Sequence, residues 1–438
     1  MATNRIQEHE VLPGIFSPGK WNDAFAGKAL FKWDFDPKSK RWCYLSYFRI
    51  GAEWIDRDKF LVVTPKSKME EVDWAEMFRR CFETEEGCSD GFGQIYDIDL
   101  EAPPISDPTL QSVLTPLLVV HFLSAVKRVV RKGLKTGDIS REENLAKVRG
   151  RIMLARNLRR NIISGHAHRA LCRFSEMSVD IPENRLIKRA LLFSERMCRK
   201  MAEQGQRGGS VLQSDARRFL SVFSEVGEFV ISSEVFNVKR NKLFRAYDDA
   251  IRLAKMILRR YENSIDRVDA DVHDVPPFWV DMSLLYEHYV LGKLRAAYGH
   301  KILYQAKVST GYPDFLFKDI SQPMILDTKY KPQYDDLGKP STDDIRQLAG
   351  YARDRSVLRR LGMTERAVQD TSVVPCVIVY PRTEERLFGA SSIDGAKTPK
   401  EQPMSESVDG FVDFYFMRMD LPRSSNERRH EGPTSLVE

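Results

Sequence analysis

The chain of 438 residues contains few cysteines and histidines, and they are dispersed. Its six cysteines include no Cys-x-x-Cys pair, and its eight histidines form no cluster at zinc-finger spacing. Disulfide frameworks and structural zinc sites require such spacings, so we expect reduced, mostly buried thiols in an intracellular protein. A composition with 42% hydrophobic and 10% aromatic residues also excludes a disordered chain.

Long apolar runs are also missing. The first residues, MATNRIQEHEVLPG, lack the apolar core of a signal peptide. The longest apolar stretch, residues 110–130, is interrupted by Pro116, His121, Lys127 and Arg128. These interruptions favour a buried helix over a membrane span, and we therefore expect a cytoplasmic protein without a membrane partner.

A phosphate-binding loop is missing as well. The nearest match is the segment GIFSPGK at residues 14–20, but Trp21 follows it where a metal-binding Ser or Thr belongs. The segment also lies too close to the N-terminus to follow the expected strand. We interpret it as a turn and expect this chain to bind no nucleotide by itself.

The net charge of +6 is mild, but the cations are unevenly distributed. Residues 127–160 contain twelve lysines and arginines against three acids, so the remainder of the chain is slightly acidic. This basic stretch could bind the DNA backbone, contact an acidic face of a protein partner, or form a solvated helical face. Candidate DNA-contacting residues within it are Arg149, Arg151 and Arg156.

Patterning along the chain predicts an α+β protein with four segments. Residues 1–105 are rich in strand-forming residues and predict a β-rich domain, with one helix near residues 72–82. Residues 106–265 predict a mainly helical region, with helices over residues 110–134, 184–203, 214–230 and 241–261. A flexible segment, QGQRGGS, is expected between the second and the third of these helices. Residues 266–420 predict a helix over residues 281–298, a three-stranded meander, a second helix over about residues 343–361 and further strands. Residues 421–438 predict a disordered tail.

The residues with the clearest chemistry are Asp314, Asp327 and Lys329, in YPDFLFKDISQPMILDTKYK. If the two apolar runs form an antiparallel hairpin, the aspartates are equidistant from the turn at Ile320-Ser321 and face each other. Asp327 and Lys329 are two residues apart, so they project from the same face. Two opposed carboxylates need an offsetting partner, and a divalent cation such as Mg²⁺ fits.

A further acid, Glu287, lies on the helix that precedes the meander. It shares a stripe with Leu284, Leu291 and Leu294, and a carboxylate on an apolar stripe is costly to bury without a partner. It is either a metal-binding or supporting acid, or a residue at the edge of the stripe that reaches solvent. The pattern alone leaves both interpretations open.

Two residues on the following helix, Gln347 and Tyr351, are four apart and share a face. Their side chains could contact Lys329 or a DNA phosphate, with Tyr351 as a candidate DNA-binding residue. The alternative is an ordinary surface glutamine beside a packed tyrosine, and spacing does not decide between them.

The ordered set of helix with Glu, strand with Pro-Asp, strand with Asp-x-Lys, and helix with Gln-x-x-x-Tyr resembles the PD-(D/E)xK nuclease core. More closely, the chain resembles McrC, the nuclease subunit of McrBC-type modification-dependent restriction systems. The resemblance covers about residues 108–355 and is loose before residue 105. Further motifs that carry it are ENLAKVRGRIML, CRFSEMSVDIPENRLIKRALLF and FWVDMSLLYEHYV.

The resemblance implies roles for individual residues and a C-terminal α/β core with a mixed central sheet flanked by helices. Asp314, Asp327 and Glu287 would be metal ligands, Lys329 the catalytic lysine, and Gln347 an accessory catalytic residue. The implied cofactor is Mg²⁺, with two-metal chemistry allowed and Mn²⁺ as a substitute. Many members have DAK where this chain has DTK, and we expect the threonine to be tolerated.

The resemblance also implies partners. McrC-like chains work with a separate AAA+ GTPase ring, so we expect an endonuclease subunit that cleaves double-stranded, methylcytosine-containing DNA and stimulates that GTPase. The β-rich first domain would dock on the motor. Two alternatives remain: a non-catalytic activator or cap of the ring, and a stand-alone repair nuclease of the same superfamily.

Overall fold

The protein is described by a computed structural model. The segment expected to form a turn at residues 14–20, and the expected tail from residue 424 onward, lie outside the described residues. The residues that the structure describes are 2–8, 10, 30–36, 40–56, 59–65, 72–106, 108–228, 245–261, 274–330, 341–365, 368, 373–382 and 392–423.

The strands of the described residues form two large sheets and three small ones. They are β1 (Ala2–Gln7), β2 (Phe31–Asp36), β3 (Arg41–Ser46), β4 (Arg49–Asp56), β5 (Lys59–Thr64), β6 (Tyr96–Ile98), β7 (Ile105–Ser106), β8 (Gly137–Leu145), β9 (Arg151–Ile152), β10 (Ala170–Ser178), β11 (Asp274–Val275), β12 (Phe278–Asp281), β13 (Ile302–Tyr304), β14 (Phe315–Phe317), β15 (Met324–Thr328), β16 (Cys376–Arg382), β17 (Ser405–Ser407) and β18 (Phe414–Asp420).

Helices occur between runs of strands, and the two large sheets are mixed, which confirms the predicted α+β class. They are α1 (Trp74–Cys81), α2 (Glu85–Asp90), α3 (Pro108–Lys132), α4 (Leu154–Asn157), α5 (Pro182–Glu203), α6 (Arg207–Val222), α7 (Arg245–Tyr261), α8 (Met282–Tyr298), α9 (Thr342–Tyr351) and α10 (Arg355–Arg360).

The chain folds into two compact units. The first comprises residues 1–121, 201–209 and 271–438, and the second comprises residues 122–200 and 210–270. The domain boundaries expected near residues 105, 265 and 420 stay predictions.

The larger sheet of the first unit has six strands in the order β13-β14-β15-β16-β18-β17. Strands β15, β16 and β18 are parallel, whereas the remaining pairs are antiparallel, so the sheet is mixed. All residues of β15 and β16 are buried except the last of each, as expected for central parallel strands. The predicted order of helix, three-stranded meander, helix and strand is confirmed.

The second sheet of this unit has the order β1-β5-β4-β12-β6. Strand β12 pairs with both β4 and β6 and continues directly into α8. Helix α8 begins at this point because the Asp281 side chain accepts a hydrogen bond of 3.1 Å from the Leu284 amide. It ends at Gly299, which adopts a positive φ of 57°. The position of Glu287 is therefore fixed by a strand of the N-terminal sheet.

The second unit contains a sheet that sequence patterning missed. Strands β8, β10 and β9 form an antiparallel sheet within the region predicted as mainly helical. Strand β8 reads GDISREENL and is mostly exposed, so it lacks the apolar alternation that predicts strands. Cross-strand ion pairs join it to β10 instead, with Arg173 on Glu142 and Arg141 on Glu176.

Two helix boundaries were also predicted wrongly. The helix expected over residues 343–361 is two helices, because the Asp354 side chain accepts the Ser356 amide at 2.8 Å and starts α10. The helix expected from residue 214 begins at Arg207, within a glycine-containing segment predicted to be flexible. There Gly208 allows close packing: a Cβ atom on it would lie 2.7 Å from the Glu76 amide nitrogen.

Helix α3 contains the segment Val113–Lys132, which is long and apolar enough to cross a membrane by length and composition. That segment is 78% buried inside the protein. Within this segment, Nδ1 of the buried His121 lies 2.7 Å from the Tyr96 hydroxyl. The prediction of a buried helix is confirmed.

Candidate functional site

The hairpin of β14 and β15 brings the two predicted aspartates together. Phe315 pairs with Leu326 and Phe317 with Met324, which confirms the register that sets Asp314 opposite Asp327. Asp314 immediately precedes β14, while Asp327 lies within β15. The equal distance of the two aspartates from the turn was therefore sufficient to predict this pair.

Thr328 holds the Asp314 carboxylate. The Thr328 amide donates a hydrogen bond of 2.7 Å to Asp314 Oδ2, and its hydroxyl donates one of 2.6 Å to the same oxygen. Burial nevertheless raises the pKa of Asp314, because these two donors only partly offset the loss of solvent. The threonine in DTK thus contacts a predicted metal ligand directly.

Asp327 is the most deeply buried acid of the site, with 2% of its surface exposed. Its Oδ2 atom forms an ion pair with Lys329 Nζ at 2.6 Å. Burial, and then the charge of Asp314, raise the pKa of Asp327 to about 7 despite the lysine. Burial lowers the pKa of Lys329, but Asp327 outweighs it and the net shift is upward.

Glu287 is half-buried on α8 and faces the same carboxylates. Burial, followed by the charge of Asp314, raises the pKa of Glu287 to about 8, although hydrogen bonds from Gln305 and Tyr304 oppose this shift. The Gln305 amide donates to Glu287 Oε1 at 2.9 Å. Because Glu287 is half-buried and hydrogen-bonded, its placement favours the interpretation as a supporting acid over that of a residue at the edge of the stripe that reaches solvent.

Gln347 and Tyr351 have separate environments on α9. Gln347 is exposed, and its Oε1 atom accepts a hydrogen bond of 3.1 Å from Lys329 Nζ, which confirms the predicted contact with the lysine. Tyr351 is 9% exposed and packs in a hydrophobic core with Leu348 and Val357. Its placement favours the alternative of a packed tyrosine over a DNA contact.

Sequence patterns did not identify several residues that neighbour the site. Tyr304 and Gln305 follow one another at the end of β13 and reach Glu287, which no local pattern indicates. Asp344 is buried at the start of α9 and raises the pKa of both Asp327 and Lys329. The sequence does hold one indication of Asp344, because it lies three residues after Ser341, the N-cap of α9. The Ser341 hydroxyl donates a hydrogen bond of 2.6 Å to the Asp344 carboxylate.

The candidate DNA-contacting arginines belong to the second unit and are exposed. The Arg149 guanidinium lies 4.2 Å from the centre of the Phe174 ring. Arg151 stands opposite Arg173 across β9 and β10, and Arg156 forms an ion pair with Glu142. The structure thus places these arginines on a surface, one of them with an acidic partner.

The acids of the first unit fit a hard divalent cation. Within the described ranges, no three His, Cys, Asp or Glu side chains are grouped so as to enclose a metal ion by themselves. Mg²⁺ does not require such a cage, since it commonly uses one or two carboxylates together with water and phosphate oxygens. The charge of Asp314 raises the pKa of both Glu287 and Asp327, and a cation relieves this repulsion.

Comparison with known proteins identifies the family. No curated protein matches the sequence significantly. A solved structure of Thermococcus gammatolerans McrB AAA+ hexamers with bound McrC shares 15% identity and a TM-score of 0.39, covering 96% of this chain and 94% of that one. The Thermococcus gammatolerans McrBC complex gives 13% identity and a TM-score of 0.32, covering 67% and 87%. Residues 101–357 match the model of the McrBC 5-methylcytosine restriction system component, and the chain belongs to this family.

Proposed function

We propose that the chain is the Mg²⁺-dependent endonuclease subunit of a cytoplasmic McrBC-type restriction system. It cleaves methylcytosine-containing DNA through a PD-(D/E)xK core when assembled with an AAA+ GTPase, and it stimulates that GTPase. The observation that carries the proposal is the convergence of Asp314, Asp327, Lys329 and Glu287 at one end of the β14–β15 hairpin. The family membership of residues 101–357 supports the same conclusion.

The residues of the site divide the chemistry of phosphodiester hydrolysis. Asp314 and Asp327, supported by Glu287, would hold Mg²⁺, which when bound stabilises negative charge on the phosphate and acidifies water. Lys329 has its Nζ atom between Asp327 and Gln347, at 2.6 and 3.1 Å from their oxygens. From there it donates hydrogen bonds that orient an attacking water or a phosphate oxygen.

The proposed partner is an AAA+ GTPase. The McrC of Thermococcus gammatolerans is seen bound to McrB AAA+ hexamers. The present chain shares the family, so we propose that it joins a McrB-like ring, which supplies GTP hydrolysis. The β-rich N-terminal segment is the proposed docking region.

The proposal is tested by mixing the full chain with its McrB-like motor, GTP, Mg²⁺ and methylated or unmethylated DNA. Asp327→Ala and Lys329→Ala should abolish cleavage, while motor binding and GTPase stimulation persist. Lys318→Ala removes an exposed lysine from the turn of the same hairpin and should cut like the unmodified chain. Cleavage by both active-site variants would refute the assigned site, and a chain that neither binds the motor nor stimulates it would refute the partner.

A further inference from the structure

Gln305 has an unusual backbone conformation beside the site. It follows β13 directly and adopts a φ of +40°, one of three positive values among the described residues that are not glycine. This left-handed region costs a side-chain-bearing residue on the order of 1 kcal/mol or more. Glycine would avoid that cost, so the glutamine at this position requires an explanation.

The conformation allows Gln305 to contact two proposed metal ligands. Its backbone amide donates a hydrogen bond of 2.9 Å to the carbonyl oxygen of Asp314. Its side-chain amide donates one of 2.9 Å to Glu287 Oε1. One residue thus bridges the helix that carries Glu287 and the segment that carries Asp314, through separate groups.

The residue before it strengthens the arrangement. The Tyr304 hydroxyl lies 3.2 Å from Nε2 of the fully buried His288, the residue that follows Glu287 on α8. A hydrogen bond that holds a carboxylate limits it to one orientation, whereas a half-buried acid on a helix face would otherwise sample several rotamers.

We propose that Gln305 is a positioning residue that fixes Glu287 relative to Asp314 for binding of a divalent cation. This inference rests on the proposed function, since it assigns a role within the same site. The strain at its backbone is offset by the bridge between the two acids. Gln305 acts on Glu287 as a donor, because its side-chain amide nitrogen faces the carboxylate.

Two variants of the full chain separate the amide from the backbone. Gln305→Met keeps the length of the side chain but removes the donor, whereas Gln305→Gly removes the side chain and relieves the positive φ. Binding of Mn²⁺ alone is measured by titration calorimetry without DNA, motor or nucleotide. Both variants should bind Mn²⁺ about 10-fold or more weakly, as for other residues that orient metal ligands. The glycine variant should unfold at a temperature close to that of the unmodified chain.

A double variant shows whether Gln305 acts through Glu287. In a Glu287→Gln background, Gln305→Gly should weaken Mn²⁺ binding no further, because the group it orients is already altered. Unchanged Mn²⁺ affinity in both single variants would overturn the inference while leaving DNA cleavage by the unmodified chain intact. Retained affinity in the glycine variant alone would also overturn it. A chain that neither binds Mn²⁺ nor cuts DNA would instead remove the proposed function, and the inference with it.

Discussion

At the scale of single residues, Thr328 sets how Asp314 is held. The backbone amide of Thr328 makes one of the two hydrogen bonds to Asp314 Oδ2, and any residue except proline supplies that donor at this position. The hydroxyl makes the other, which is an addition specific to threonine or serine. The two contributions can therefore be separated by a single substitution.

Thr328→Ala should retain DNA cleavage within about tenfold of the unmodified chain and cost about 1 kcal/mol of stability. The amide donor to Asp314 remains, and only the hydroxyl is lost. Cleavage rates with the motor, together with urea unfolding, check both expectations. Complete loss of cleavage with intact folding would show that the hydroxyl itself is required.

Asp354 predicts a pH dependence of stability. Burial acts to raise the pKa of Asp354, but hydrogen bonds from Thr310 and Ser356 outweigh it and lower that pKa to about 2. A pKa below the unfolded value of 3.8 contributes stability above about pH 4 that is lost as the pH falls toward 2. Asp354→Asn should therefore be less stable than the unmodified chain at pH 5, with the difference in urea midpoint shrinking between pH 4 and pH 2. A difference that stays constant over this range would contradict the assignment.

Residue positions were predictable from sequence only where a local rule governs them. The pairing of Asp314 with Asp327 follows from the period of two and a symmetric turn, and both were readable in the sequence. The contact of Gln305 with Glu287 depends on how β13 packs beside α8, over a separation of 18 residues. No local pattern encodes such a tertiary contact, and the positive φ of Gln305 contradicts its residue type.

At the scale of elements, α8 connects the two large sheets of the first unit. It continues from β12 in one sheet and leads into β13 of the other through the short helical turn Gly299–Lys301. Helix α8 also packs closely on α1: a Cβ atom on Gly292 would lie 2.3 Å from the Arg80 carbonyl oxygen. The helix that presents Glu287 is thus fixed by backbone-to-backbone contact with the N-terminal part of the chain.

Gly292→Ala should destabilise the protein by about 1–3 kcal/mol, even though alanine favours helix by about 1 kcal/mol, because the Arg80 backbone must move. Gly350→Ala is the matched control on α9, where the added methyl group meets no atom within 4 Å. The control should leave stability unchanged or raise it by up to about 1 kcal/mol. Urea unfolding measures both, and equal stability of the two variants would show that the α1–α8 contact can relax.

Elements with strong apolar periodicity were predicted well, and elements held by charge were not. Helix α5 was expected over residues 184–203 and spans Pro182–Glu203, because its buried and exposed faces alternate at helical spacing. Strand β8 was missed because cross-strand ion pairs, and not an apolar face, hold it against β10. A strand of this kind is recognisable only when its partner strand is known.

At the scale of the whole molecule, the structure changes how the basic stretch of residues 127–160 should be interpreted. Acids from other segments pair with some of its cations: Asp249 with Arg128 at 3.2 Å and Glu183 with Lys135 at 2.6 Å. The local excess of nine positive charges therefore overstates the field that a ligand meets. Cations without such compensation are better candidates for DNA contact, and the stretch is not uniform.

Arg151 and Arg156 differ in whether an acidic side chain pairs with them, and this difference gives the last prediction. Arg151 is exposed and forms no ion pair with a described residue, whereas the Arg173 opposite it is already paired with Glu142. Arg156 already has Glu142 as its partner. Arg151→Ala should weaken DNA binding and lower the slope of log affinity against log salt by about 1, whereas Arg156→Ala should change the slope less. Fluorescence anisotropy with a short duplex at several salt concentrations measures both. An unchanged slope for Arg151→Ala, combined with reduced GTPase stimulation, would place this surface against the motor and not against DNA.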